Sequence, residues 1–421
     1  MSAPSRIPAL APFQVRAFRF QWPADLATSW AFEMETLILG WYVLVETRSV
    51  LMLTVFASLQ HIGTLISPVF GVMGDRLGHR NVLGAMRTVY LTLALTLMTL
   101  AFTGSMTPTY ALAIAAMTGL VRPSDIGVRA ALVGNTMPPT HMLGAMSIQR
   151  TTQDSAKIIG ALSGAALMAM LGMSYAYLVV AGLYMASVLL TLKAGAGPAA
   201  RRHVYEEAGV HLRPSPWRDL KDGALYVWRT PQLRAAMCLA FLLNLTAFPL
   251  FNGLMPYVAK EIYFTDQRGL AQMVAAAASG ALLGSIVLSR YGGILRPARA
   301  MIIGGLTWYS LLFVFANVPY HTLGLVVLVL AGCAQSVSQV PMAALILRTS
   351  DERYRGRVMG IRMLAIYGNL PGLLLAGPLI TAMGYPFTAM LYCIIGMVGA
   401  VAIAARWRTH LWKLDAPANT R

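Results

Sequence analysis

The chain has 421 residues, of which 57% are hydrophobic and only 12% charged. A soluble domain carries about 25% charged residues, so this composition leaves too little polar surface to coat a water-exposed globule, and lipid must be part of the solvent. The formal net charge of +17 would point to nucleic acid in a soluble protein; its placement along this chain follows membrane topology instead, and nucleic acid is excluded as a partner.

A membrane-crossing helix needs about 20 mostly apolar residues. In chain order the segments that meet this test are 22–46, 51–74, 81–103, 108–134, 142–170 and 174–192, and then 233–258, 268–291, 298–316, 320–347, 358–382 and 385–405. The expected fold is therefore an all-α membrane protein of twelve helices in two sets of six. Residues 1–192 form the first bundle, 193–232 a linker, and 233–421 the second bundle with a short tail. Within the linker, Trp217 to Arg234 alternates apolar and basic positions, which predicts a short amphipathic helix on the membrane surface.

Lys and Arg set the orientation. With the N-terminus inside, one face collects Arg76, Arg80, Lys193, Arg201, Arg202, Arg290, Arg296, Arg299, Arg348, Arg406 and Arg408, whereas the other holds Arg48, Lys260 and Arg268. Both termini are expected in the cytoplasm of a bacterial cell, with the chain in the inner membrane and anionic lipid attracted to the basic face.

The two halves repeat at a constant offset of 213 residues. Gly71 then falls on Gly284, Gly119 on Gly332, Ala130-Ala131-Leu132 on Ala343-Ala344-Leu345, Met146 on Met359 and Gly164 on Gly377. Two parallel six-helix repeats are a transporter architecture.

The sharpest local motif is Gly71-Val-Met-Gly74-Asp75-Arg76-Leu-Gly78-His79-Arg80. Its glycines allow close packing and a very short turn, and its acid can latch basic groups or a helix N-terminus. It resembles the signature G-x-x-x-D-R-x-G-R-R of the major facilitator superfamily, with His79 in place of one arginine, and the resemblance covers almost the whole chain. Trp41, the linker residues Gly223, Tyr226, Thr230-Pro231 and Leu233-Arg234, and Arg355-Gly356-Arg357-Val358-Met359-Gly360 resemble the drug:proton antiporter branch that contains the enterobactin and macrolide exporters. The antiporter motif of the fifth helix departs from that branch: Gly160 and Gly164 are present, but Ala165 stands where a proline is expected.

Ionisable groups inside a membrane are costly and mark functional candidates. The first helix has Glu33 and Glu35, the second His61, the fourth Arg122, Asp125 and Arg129, and the fifth Arg150, Asp154 and Lys157. The fourth-helix and fifth-helix sets each fall on one helical face. Glu33 and Glu35 lie about 200° apart, so only one is expected to face a cavity. The bland alternative is that Arg122–Asp125 and Arg150–Asp154 merely tie helices together. The second half offers neutral polar groups instead: Asn244, Asn252, Gln335, Gln339, Tyr367 and Asn369.

The resemblance implies a central cavity lined by helices 1, 4, 7 and 10, to which Trp30 and Arg122 also belong. It implies alternating-access transport of a small organic molecule by a monomer. The leading expectation is proton-coupled export of a drug-like amphipathic compound or siderophore. A glutamate of helix 1 would take up the proton, and the neutral half would recognise substrate. The alternatives are import of an organic anion gripped by Arg122 and Arg150, or translocation of a lipid or lysolipid. A membrane-embedded enzyme is the remote alternative. No HExxH or GxSxG is present, His61, His203 and His321 fall at different depths, and Cys238, Cys333 and Cys393 lack metal-ligand spacing. No cofactor or metal is expected. The chain also lacks the phosphate-cradling loop of an ATP-driven pump.

Overall fold

The computed structural model describes residues 11–66, 70, 73–74, 77–194, 216–291, 296–351 and 354–413, which are helical almost throughout, with no strand among them. The chain forms two compact units: Met1–Ile38 with Leu65–Arg213, and Leu39–Thr64 with Pro214–Arg421. The units do not follow chain order, because Leu39–Thr64 is counted with the second.

In the first unit the organising element is α1 (Arg16–Thr47), which runs on into the second unit. Between Ala24 and Ile38 most positions are buried, and the half-buried ones, Leu26, Ser29, Trp30, Glu33 and Thr36, fall on one stripe of the helix. α3 (His79–Phe102) follows Gly78, whose φ of 87° is a turn conformation that side-chain-bearing residues rarely adopt. α4 (Pro108–Thr136) is started by Thr107, whose side chain accepts from the Tyr110 amide, and by a proline in its first turn, where no backbone donor is needed. The stretch Pro139–Lys193 breaks at Gly172 (φ 82°, ψ 176°) into α5 (139–171) and α6 (173–193). Gly160 and Gly164 let α5 approach α1: a Cβ at Gly160 would lie 3.1 Å from the Trp30 carbonyl oxygen, and one at Gly164 would lie 3.1 Å from Met34 Cα. This is small-residue packing between helices, which lipid favours because it offers no hydrophobic drive of its own.

The second unit contains α2 (Val50–Leu59), capped by Ser49, and α7 (Pro216–Arg229), the expected linker helix. α7 buries Gly223 and Val227 and exposes Lys221, Asp222, Leu225, Trp228 and Arg229. α8 (Pro231–Phe248) continues through π-helical turns at Pro249–Gly253 and Val258–Ile262. Pro249 and Pro256 lack the backbone donors that a regular helix would use there. α9 (Gln267–Tyr291), α10 (Pro297–Asn317) and α11 (His321–Thr349) follow, with α11 packed on both others. α12 (Arg355–Leu364), a 3-10 turn, α13 (Asn369–Met383) and α14 (Tyr385–Arg406) complete the unit, and a final helical turn spans Thr409–Lys413. Gly368 and Gly372 do for α13 and its 3-10 entry against α8 what Gly160 and Gly164 do for α5 against α1, since a Cβ at either would meet α8 backbone at Phe241 or Leu245.

Among the described residues nine helical stretches are long and apolar enough to cross a membrane, and Val50–Thr64 is a shorter apolar one. The expected twelve spans are not all recovered as separate apolar helices. α5 and α6 count as one stretch because only Gly172 divides them, α2 is short, and α1 carries Asp25, Thr28, Ser29, Glu33 and Glu35 along its centre.

Candidate functional site

The interior of the first unit holds a charge cluster that begins at Asp25 on α1. The Asp25 carboxylate is ion-paired with Arg87 of α3, lies 3.5 Å from Arg129 Nε of α4, and accepts from Gln149 Nε2 of α5 at 3.1 Å. Arg129 Nη2 also meets Asp125 Oδ2 at 2.5 Å, one helical turn earlier, and its Nη1 donates to Ser29 Oγ at 3.1 Å. Arg87 donates to Thr191 Oγ1 of α6. Asp25 is 1% exposed and Arg87 0%. Two acids balance two guanidinium groups, as burial in a low-dielectric interior requires.

Farther along α1 and one turn earlier on α4 lies a second group. Arg122 Nη2 stands 3.8 Å from Glu33 Oε1, with the two side chains 30% and 21% exposed, and the Arg122 guanidinium lies on the Phe32 ring. Glu35, on another side of α1, is buried and accepts a 2.8 Å bond from the Tyr184 hydroxyl of α6. The Tyr184 ring is 5.7 Å from that of Tyr90 on α3. The buried Tyr90 and Tyr177 hydroxyls have no hydrogen-bond partner among the described residues. Trp30 Nε1 donates to Ser163 Oγ at 2.8 Å, which ties α1 to α5.

The sequence-predicted residues are only partly brought together. Glu33 pairs with Arg122, and Asp125 with Arg129. The expected fifth-helix stripe is not one environment: Asp154 is buried, Lys157 is exposed, and the Arg150 side chain lies outside the described residues. Asp25 and Arg87 join two of the chosen residues but were not among them. Both lie inside the apolar segments 22–46 and 81–103, so the argument that singled out Glu33 applies equally to them.

In the second unit His61 and Asn369 come together. His61 Nδ1 faces the Ala57 carbonyl at 3.0 Å and so carries the proton; Nε2 then accepts from Asn369 Nδ2 at 3.1 Å. This pair links α13 to the turn after α2. Gln339 Oε1 accepts from Arg362 at 3.4 Å, and the half-buried Gln335 lies one turn earlier. Asn244 spends its amide on the Ala240 carbonyl of its own helix, Asn252 is exposed, and the Tyr367 hydroxyl is buried without a hydrogen-bond partner among the described residues. Gly71, Asp75 and Arg76 of the motif lie outside the described residues. Of the remainder, Gly74 packs under the His79 ring, Gly78 makes the positive-φ turn, and Arg80 donates to Asn81 Oδ1. His79 Nδ1 is 3.2 Å from Asn135 Nδ2, joining the start of α3 to the end of α4.

The sequence matches the profile of the family described as Major Facilitator Superfamily over residues 31–368 and 237–419. No curated protein sequence matches it. Among solved structures it is similar to the nucleoside transporter NupG, with 17% identity, a TM-score of 0.71, and 93% of this chain and 99% of that one covered. It is also similar to the POT family transporter PepTSo, with 14% identity, a TM-score of 0.70, and coverage of 95% and 99%. The human organic anion transporter MFSD10 matches at 15% identity and a TM-score of 0.65, with coverage of 94% and 100%. At these identities the likeness is one of fold.

Proposed function

Because the chain belongs to the major facilitator superfamily, and is thus a multi-pass membrane transporter of small-molecule substrates rather than an enzyme, we propose that it is a proton-coupled exporter of a small amphipathic compound. In this reading twelve helices form two six-helix halves in a bacterial inner membrane, both termini are cytoplasmic, and the monomer works by alternating access. The drug:proton antiporter branch is the proposed home within the superfamily, and the loop of Gly74, Gly78 and Arg80, with Gly71, Asp75 and Arg76, is its proposed cytoplasmic gate.

The observation that carries the proposal is the Glu33–Arg122 pair. Both members of this pair are partly open to solvent. A carboxylate at that position can exchange a proton with water, whereas Glu35 is enclosed by Tyr184 and its surroundings. Protonating Glu33 removes a counter-charge of Arg122, and a partly buried guanidinium is costly when its compensation is reduced. Proton uptake would therefore favour whichever conformation rehydrates Arg122 or gives it a new acceptor. That supplies the differential stability through which a ligand shifts a two-state equilibrium. Asp25, Arg87, Asp125 and Arg129 serve here as the fixed frame that holds α1 and α4 in register.

The test begins by comparing culture supernatants and cell extracts of a deletion strain and its complemented parent, which names the substrate and the direction. Export leaves the compound inside the deletion strain. With that substrate, Glu33→Gln in proteoliposomes is expected to lower flux driven by a pH gradient by tenfold or more, about 1.4 kcal/mol, with protein level unchanged. Undiminished flux removes Glu33 from the coupling.

Arg122 also favours a second reading. A guanidinium 30% exposed and set over an aromatic ring is a group that suits a carboxylate or phosphate, and so import of an organic anion. A compound left behind in the medium by the deletion strain would favour this reading over export.

A further inference from the structure

The second unit gathers arginine and tryptophan at one set of helix ends. The guanidinium of Arg234, in the first turn of α8, lies 5.5 Å from the Trp228 ring of α7 and 5.3 Å from the Trp407 ring that follows α14. Arg406 lies 5.9 Å from the same Trp407 ring. Arg299, in the first turn of α10, lies 5.6 Å from the Trp412 ring and donates to the Trp412 carbonyl at 2.6 Å. The Thr409–Lys413 turn is anchored by the buried Leu411 and by a bond from Gln232 to the His410 carbonyl at 3.1 Å. The beginnings of α8 and α10 and the end of α14 therefore meet at one level, where three apolar spans stop.

We propose that this basin is a binding site for the headgroup of an anionic phospholipid. Arg234 and Arg406 make no hydrogen bond or ion pair with any described residue, although each rests on an indole. A guanidinium within about 6 Å of a ring face is attracted to it through its charge, which leaves its N–H donors for a planar or tetrahedral oxyanion. A carboxylate partner is the usual solution for a stacked arginine, and the described acid on α7, Asp222, lies six residues before Trp228. The indoles identify the source of the anion. Trp228 is 68% exposed, and tryptophan at the end of an apolar span sits at headgroup depth. Basic pockets between helices on the positive side of a membrane are suited to lipid phosphates, each arginine adding attraction that salt weakens. A free anion would gain from the guanidinium groups but nothing from the exposed indole.

The experiment uses the full-length protein, delipidated in neutral detergent and mixed with micelles of phosphatidylglycerol and phosphatidylethanolamine in equal amounts. Lipid retained after gel filtration is measured by mass spectrometry. The wild type is expected to retain phosphatidylglycerol in preference to phosphatidylethanolamine. The double variant Arg234→Gln/Arg406→Gln should retain about thirtyfold less phosphatidylglycerol. Trp228→Ala, at an exposed position, should keep the melting temperature and still lose severalfold. Retention equal to wild type in Trp228→Ala and in a folded double variant overturns the proposal. Displacement of the lipid by inorganic phosphate at matched concentration overturns it as well, because the basin would then be a free-anion site.

Discussion

Asp25 and Glu33 are two turns apart on α1, yet replacing them should do different things. Asp25 is enclosed and shared by Arg87, Arg129 and Gln149, so Asp25→Asn leaves two buried guanidinium groups with one acid between them. Breaking a buried pair in this way costs about 3–5 kcal/mol. We expect Asp25→Asn to lower the thermal midpoint in detergent sharply and reduce the amount of folded protein, while Glu33→Gln leaves both near wild type. Equal midpoints for the two variants would mean that the Asp25 cluster carries no structural load. The same contrast shows what the sequence made legible at this scale. That α1 and α4 carry charge facing inward followed from the cost of charge in lipid. Which acid meets which base did not follow, because helical spacing orders residues around one helix and says nothing of the neighbouring helix. Arg129 met Asp125, one turn away on α4, but Arg122 found Glu33 on α1 instead of Asp125.

At the scale of helices, the glycines make the sharpest forecast. A Cβ on Gly372 would fall against the Leu245 carbonyl, a backbone atom that cannot swing aside, whereas a Cβ on Gly182 meets nothing within 4 Å. Gly372→Ala should therefore destabilise by about 1–3 kcal/mol through forced helix separation. Gly182→Ala should stabilise by about 0.5–1 kcal/mol, since alanine loses less entropy in a helix. Thermal melts of the two single variants check both signs, and a neutral Gly372→Ala would mean that α8 and α13 slide apart freely. Most helices were visible beforehand as apolar runs of the right length. The number of separate apolar spans was less visible, because a single glycine divides α5 from α6 and because α1 is polar along its centre. The repeat offset was informative but imperfect: it paired Gly164 with Gly377, whereas the glycines that play the same packing role on α8 are Gly368 and Gly372.

At the scale of the molecule, one segment from the first half of the chain is grouped with the second half. Leu39–Thr64 is counted with the second unit, and within that unit Gly377 of α13 packs on Leu51 and Thr54 of α2. Hydropathy alone cannot reveal such an exchange, because it locates spans along the sequence and not their neighbours. His61 shows the effect on the site. The sequence placed it among the ionisable candidates of the first half, and the structure brings it against Asn369 on α13.

The balanced cluster in the first unit also bears on biogenesis. Taken singly at a helix centre, a charged residue opposes insertion by about 2.5–3.5 kcal/mol on a translocon scale. α1 brings Asp25 and α3 brings Arg87, and these two charges neutralise one another only when both helices are present, whereas α4 carries Asp125 and Arg129 as a pair of its own. The early helices should thus leave the translocon together rather than in turn. Nascent chains arrested after α2 are expected to remain extractable by alkaline carbonate, and chains arrested after α3 to resist it. Integration completed before α3 would show that the ribosome-bound intermediate tolerates its uncompensated charge.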